Sequence, residues 1–330
     1  MNRPKCKEED YIQWLIASPR FATCTLAAEV SPSPIAHDAY NRLLERLEPT
    51  SDELWLEVEG LVQLDDGWLI IDDCTIEKVH SKKMHLVTSH WSGNKKAVVD
   101  GINLISLVWT DGELAIPVDW RVYNKKVDGF TKNDHALHML EKANDRGFKP
   151  RAVLWDSWYS SLANLKFVRA LGWNFFVAIK SDRRMSFEPG QIFTAKDVEF
   201  DSSNRRRIHL TGFGWVMVYK YHARRGDDVD YFVSTEPPMS TGEVKKYKDI
   251  ANQIEKYHRT LKQDCHIQRC HARIARKQLN HIGLSIRAYV RLAYHAHANW
   301  ISTQRIKFSI WKAAARQYLL DPFCRLPATA

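Results

Sequence analysis

Three carboxylates, far apart in the chain, are the residues best suited to do chemistry. Asp72 follows the apolar run Trp68-Leu69-Ile70-Ile71, Asp156 follows Val153-Leu154-Trp155, and Glu255 lies in Ile254-Glu255-Lys256-Tyr257-His258-Arg259. They stand 84 and 99 residues apart. If folding gathers them, their charges repel and raise one another's pKa until a cation neutralises them. Hard oxygen ligands suit Mg2+, which completes its octahedral shell with water and substrate phosphate. Two such ions activate a water or 3′-hydroxyl and stabilise the leaving oxygen of an in-line displacement, which is phosphodiester chemistry. Each acid also has an ordinary structural reading. Asp72-Asp73 can open a polar loop, Asp156 can cap the next helix, and Glu255 can pair with Arg259 at i,i+4 for about 0.2–0.5 kcal/mol.

Two details sharpen the chemical reading. Adjacent strand residues point to opposite faces, so only one of Asp72 and Asp73 can serve; Asp72 is preferred because it directly follows the apolar run. Glu255, Arg259 and Lys262 follow i, i+4, i+7 and share one helical face, which places two cations beside an acid to hold phosphates. Lys180, Arg183, Arg184 and Arg273 are further expected DNA contacts.

The elements that must position the acids follow from periodicity. Residues 1–65 read as helical, with a break at Ser31-Pro32-Ser33-Pro34; the pair around it is either a helix-turn-helix or a plain packing pair. From Gly67 the period changes to strand, with Asp72 expected at the end of the first. Strands follow over Ala97–Thr110 and Glu113–Tyr123, then a helix over Thr131–Arg146, a strand over Arg151–Trp155, a helix over Ser157–Leu171, and a strand over Trp173–Lys180. The order is βββαβαβ. Residues 185–240 alternate as a β-rich insertion, and Glu243–Cys265 returns to helix. Residues 266–330 complete a basic helical tail. This is the order of an RNase H-like mixed α/β sheet, with core segments 66–184 and 241–265. Its first and fourth strands are neighbours.

Charge distribution points the same way. The 330 residues carry a net +9. Residues 258–330 hold 13 Lys and Arg against two Asp, a balance of +11, so the rest of the chain carries −2. Concentrated positive charge suits phosphate binding through counterion release; a solvated basic surface is the plain alternative. With 45% hydrophobic and 26% charged residues, the chain is neither disordered nor fibrous. No apolar run reaches the roughly 18 residues of a membrane span, and the start lacks an apolar leader. Six scattered cysteines fit a reducing compartment. A cytoplasmic, nucleoid-associated protein is expected.

On these residues the chain resembles the DDE transposases of bacterial insertion sequences, in the group with a β-rich insertion before the catalytic Glu. The matching pieces are Leu69-Ile70-Ile71-Asp72-Asp73-Cys74, His90-Trp91-Ser92-Gly93, Gly101-Ile102-Asn103-Leu104, Ala115-Ile116-Pro117-Val118-Asp119, Val153-Leu154-Trp155-Asp156-Ser157-Trp158-Tyr159 and Ile254–Gln263. The resemblance implies that Asp72, Asp156 and Glu255 form a catalytic, metal-binding triad for two Mg2+ ions, with Mn2+ as a substitute. Lys262 matches the Lys of the Y-x2-R-x3-E-x6-K signature. Its Arg and Tyr positions hold Ala251 and Lys248 instead, with Tyr247 one place off. The resemblance further implies binding of double-stranded DNA, both terminal inverted repeats and target, with strand cleavage and transfer by a homodimer in a synaptic complex, away from membranes. The alternatives are a catalytically silent DNA-binding relative and an RNase H-like nuclease that cuts without joining. Trp215 is a candidate for stacking an extruded base, although core packing is the expected role of a lone strand Trp. Cys265-His266 and Cys270-His271 offer a zinc reading whose spacing fits no usual finger.

Overall fold

The computed structural model describes residues 4–79, 81, 83–92, 95–125, 127–188, 191–222 and 229–324. Gly93, quoted above in a matching piece, and Arg325, counted in the tail charge, lie outside them. The helices are α1 (Glu8–Ala17), α2 (Cys24–Val30), α3 (His37–Arg46), α4 (Asp52–Val58), α5 (Lys132–Asp145), α6 (Leu162–Ala170), α7 (Thr241–Ala251), α8 (Gln253–Gln263), α9 (Ala275–Ala298) and α10 (Thr303–Leu320). The strands are β1 (Trp68–Glu77), β2 (Thr88–Ser92), β3 (Ala97–Thr110), β4 (Ala115–Tyr123), β5 (Ala152–Trp155), β6 (Phe175–Ile179), β7 (Arg184–Ser186), β8 (Ile192–Thr194), β9 (Arg205–Leu210), β10 (Gly214–His222) and β11 (Val229–Ser234). They divide into two compact units, one of Met1–Thr50, Lys82–His85 and Arg259–Ala330, the other of Ser51–Ser81 and Leu86–His258.

The second unit holds the sheet. Its centre runs β4-β3-β1-β5-β6, with β3 antiparallel to both β1 and β4, and β5 parallel to β1 and β6. This is the RNase H-like arrangement that βββαβαβ anticipates, with β2 added as a partner to the first part of β3. The insertion extends the same sheet, because β11 pairs antiparallel with β6 and carries β10, β9, β7 and β8 after it. Leu69, Ile71, Leu107, Val153, Leu154 and Val177 are fully buried, as central strands covered on both faces require.

Three local expectations are corrected. Asp72 lies in the middle of β1 and not at its end. The long β3 supplies backbone partners out to Glu77, opposite Gly101, so the polar residues stay in the ladder after the apolar run ends. The parallel ladder is shorter and stops where Ile71 meets Trp155. Helix α6 begins five residues after Ser157, with Ser161 as its cap, accepting from Asn164 N at 3.1 Å. Asp156 therefore caps no helix; it accepts from Trp158 N at 2.9 Å within a turn. Finally, Glu243–Cys265 is two helices. Asn252 ends α7, and the buried Gln253 starts α8 by accepting from Thr110 Oγ1 at 2.8 Å and donating to the Gly112 carbonyl.

In the first unit, buried polar groups of α9 fasten the N-terminal helices. Asn280 donates to the Leu44 and Leu47 carbonyls, both at 2.9 Å. His281 meets Tyr11 Oη at 2.9 Å and the His266 carbonyl at 3.1 Å. Tyr40, Leu43 and Leu44 of α3 are buried. Cations of the tail are partly spoken for here: Arg276 pairs with Glu48 at 3.0 Å, Lys277 with Glu45 at 3.3 Å, Arg291 with Glu9 at 2.8 Å, and Arg287 with Glu8. Among the described residues no helix is long and apolar enough to cross a membrane.

Gly67 starts β1 at φ +84°, and a Cβ there would stand 2.5 Å from Trp109 Nε1 and 2.6 Å from the Thr110 carbonyl. Gly67→Ala is expected to cost at least about 2 kcal/mol, because left-handed strain and the clash add. Thermal unfolding should show this as a Tm about 4 °C lower or more.

Candidate active site

The pleat separates the two adjacent aspartates of β1. Asp73 faces α5 and is fully engaged. Its carboxylate accepts from Lys132 Nζ at 2.7 Å, Asn103 Nδ2 at 2.7 Å and Tyr159 Oη at 2.9 Å. Burial alone would raise its pKa, yet the Lys132 ammonium and these hydrogen bonds hold it below the usual carboxylate value.

Asp72 is on the other face. Its register partner on β3, Ser106, reaches Tyr257 Oη of α8 at 3.4 Å, so α8 covers this side of the sheet. Glu255 and His258 belong to the same helix, and His258 Nδ1 lies 3.9 Å from Asp72 Oδ2. On the neighbouring strand, Asp156 is one residue past Trp155, as Asp72 is one past Ile71. The Asp72 carboxyl is pushed well above its ordinary pKa, first by burial, then by the charges of Asp73, Asp156 and Glu255. Asp156 is also raised, first by loss of hydration and then by Asp73, although the Trp158 and Tyr159 amides pull it back.

Asp156 and Glu255, like Asp73, thus lie near enough to act on the Asp72 carboxyl. Among the described residues no three His, Cys, Asp or Glu side chains stand close enough to form a closed metal-ligand set. The donor chemistry nonetheless fits a hard divalent cation: carboxylate oxygens from three elements, with the Asp72 carboxyl raised first by burial and then by Asp73, Asp156 and Glu255.

The basic residues fall in several places. Lys180, Arg183 and Arg184 line a cleft of about 480 Å³ together with Trp158, Ser161 and Thr211. Lys180 and Arg184 are exposed, while Arg183 Nη1 donates to the Ser160 carbonyl at 3.0 Å. Arg259 and Lys262 follow Glu255 along α8; Arg259 is exposed and Lys262 half-buried. Ile254, Tyr257 and Leu261 of that helix are buried, as its spacing requires. Arg273 is exposed and its carbonyl accepts from His85 N at 3.2 Å. At the signature departures, Tyr247 packs edge-on against Trp68, and Lys248 pairs with Asp230 over the Tyr221 ring.

Two further expectations change. Trp215 is 52% exposed and not a core residue; its ring meets His209 edge-on and lies under the Arg207 guanidinium. Both occupy the solvent side of the β9–β10 pair. The Cys/His pairs do not present zinc ligands as a set. Burial pushes the Cys265 thiol far up, and His266 Nε2 is bonded to the Ser18 carbonyl at 2.8 Å. Asn103, Lys132, Tyr159, Gln253 and His258 were not singled out from sequence. Asn103, Tyr159 and His258 nonetheless stand in the matching pieces, and His258 also carries an i+3 spacing from Glu255.

The chain matches the family described as DDE superfamily endonuclease over residues 11–209. No curated protein matches it. Among solved structures it is similar to the piggyBac transposase synaptic complex with hairpin DNA, at 13% identity and a TM-score of 0.48, over 98% of this chain and 75% of that one. It is also similar to the Mos1 transposase paired-end complex with the left transposon end, at 14% identity and a TM-score of 0.20, over 53% of this chain and 60% of that one.

A raised carboxyl pKa has a signed consequence. The folded chain holds a proton on Asp72 to higher pH than the unfolded chain does, so metal-free stability falls as pH rises above the ordinary value of about 3.9. Asp72→Asn should therefore raise the Tm of the metal-free protein at pH 7, by about 2–4 °C for each kcal/mol recovered. The gain should vanish near pH 4 in the same melting series.

Proposed function

Because the chain belongs to the DDE superfamily of endonucleases, we propose that it is a transposase of a bacterial insertion sequence, cutting at the terminal inverted repeats of its element and joining the freed 3′-hydroxyls to target DNA. The observation that carries this reading is the Asp72 carboxyl, raised first by burial and then by the charges of Asp73, Asp156 and Glu255, so that the other two acids lie within its field. Asp72, Asp156 and Glu255 would hold divalent cations, Mg2+ in the cell and Mn2+ as a substitute. When bound, such ions supply a nucleophile at neutral pH and charge stabilisation for the leaving oxygen.

The protein's own part is placement. Asp73, tied up on the far face, leaves Asp72 as the β1 ligand. The amides of Trp158 and Tyr159 orient the Asp156 carboxylate. Lys180 and Arg184, exposed in the cleft that Trp158 also lines, are suited to hold phosphates of the strand next to the scissile bond. Arg259 and Lys262 on the Glu255 helix, with Arg273 and Arg183, add to the DNA-binding charge. A homodimer in a synaptic complex follows from the need to hold two ends at once.

Asp72→Asn, Asp156→Asn and Glu255→Gln should each lower Mg2+-dependent strand cleavage by about 10³-fold, or about 4 kcal/mol of barrier, while leaving end binding in a gel-shift assay intact. Cleavage that survives all three changes would refute the assignment. Labelled ends that are cut and never captured in a second DNA would establish a nuclease instead.

Phosphate contacts have their own signature. Lys180→Ala and Arg184→Ala should each weaken binding to any DNA sequence and lessen the slope of log K against log salt by about 1. Titrations across 50–200 mM salt read this directly.

A further inference from the structure

Lys132 occupies the first position of α5, after a closed capping box. Asp134 N donates to Thr131 Oγ1 at 3.2 Å, and Thr131 N to Asp134 Oδ2 at 2.7 Å. A cation in a first helical turn opposes the helix dipole, so propensity does not account for it. Its ammonium is carried away from the helix end to Asp73, at 2.7 Å, with both side chains only 18% exposed. It also lies over the rings of Tyr123, at 5.9 Å, and Trp158, at 5.7 Å.

The partners of this ammonium span every element that holds an Asp of the candidate site. Asp73 is the chain neighbour of Asp72. Tyr159, which shares the Asp73 carboxylate, and Trp158 belong to the turn whose first residue is Asp156. A second tie runs alongside: Asn164 Nδ2 donates to the Tyr159 carbonyl at 2.8 Å and to Asn133 Oδ1, beside Lys132, at 2.7 Å. Past Trp155 no β1–β5 pairing remains to fix the Asp156 turn against β1. Side-chain bonds centred on Asp73 do so instead.

We propose that Lys132 is a positioning residue for the metal site, holding the Asp156 turn beside β1 so that Asp72 and Asp156 stay aligned before any cation arrives. The inference rests on the carboxylate assignment above. Lys132 hydrogen-bonds neither acid; its charge lowers the Asp156 pKa from a distance, and it positions the turn through Asp73, Tyr159 and Trp158.

Mn2+ binding to the full chain without DNA, followed by the electron paramagnetic signal of the free ion, tests it. Lys132→Met should weaken binding about 10-fold or more, the effect of losing an outer partner of a metal ligand. Lys132→Arg, which keeps the charge, should recover most of it. Raising Mn2+ above the new dissociation constant should restore cleavage by Lys132→Met but not by Asp156→Asn. Folded Lys132→Met that binds Mn2+ as well as the parent or better, while Asp156→Asn loses binding, overturns the positioning role and leaves the enzyme assignment standing. If Asp156→Asn keeps full binding, the metal assignment falls, and this inference with it. Should Lys132→Met fail to fold, Tyr159→Phe decides: a several-fold loss of affinity supports the role, and unchanged affinity overturns it.

Discussion

Two aspartates side by side on one strand cannot share a fate, because the pleat sends them to opposite faces of the sheet. Asp73 meets Lys132, Asn103 and Tyr159 and is neutralised there. Asp72 loses hydration and lies in the field of Asp73, Asp156 and Glu255, and so stays costly to ionise. The candidate chemistry depends on this inequality. A strand carrying two neutralised aspartates would have no affinity to offer a cation, and one carrying two bare ones would leave both faces of the sheet under like-charge strain.

Register converts that inequality into a place. The β1–β5 ladder ends at Ile71 and Trp155, so Asp72 and Asp156 each stand one residue beyond the last parallel pair. β3 continues to support β1 beyond that point, out to Glu77. Asp72 is consequently rigid in its backbone while its neighbour Asp156 rides on a turn. Helix α8 then lies over the same face, anchored at its start by Gln253 to the β3–β4 turn and along its length by Tyr257. Strand, turn and helix each deliver one carboxylate, and each is held by a different kind of bond.

The basic tail has a more divided role than its net charge suggests. Glu8, Glu9 and Glu45 of the N-terminal helices, with Glu48 just after α3, pair with four of its cations within one unit. Lys307 donates to the Ile16 and Ser18 carbonyls, both at 2.7 Å, and closes the end of α1. Part of the +11 therefore holds the helical unit together, since ion pairs and carbonyl caps engage charge within the unit. Arg259 and Arg273 remain exposed.

Much of this was legible before folding was considered. Apolar runs ending in Asp72 and Asp156 located two strands, period changes separated helix from sheet, and i, i+4, i+7 spacing set Glu255, Arg259 and Lys262 on the exposed side of α8. Such patterns are local, and local patterns survive in one dimension. The length of β1 did not, because it depends on a partner strand that begins 20 residues after β1 ends. Nor did the exposure of Trp215, which is decided by which face of an insertion the rest of the sheet leaves open. Asp72 could be preferred over Asp73 only for its place after the apolar run, since the partners of neither carboxylate were visible. Composition and spacing determined which acids were available and which elements would carry them. Tertiary structure alone decided which aspartate would be neutralised, because Lys132, Asn103 and Tyr159 come from three distant segments that only the folded sheet brings to one carboxylate.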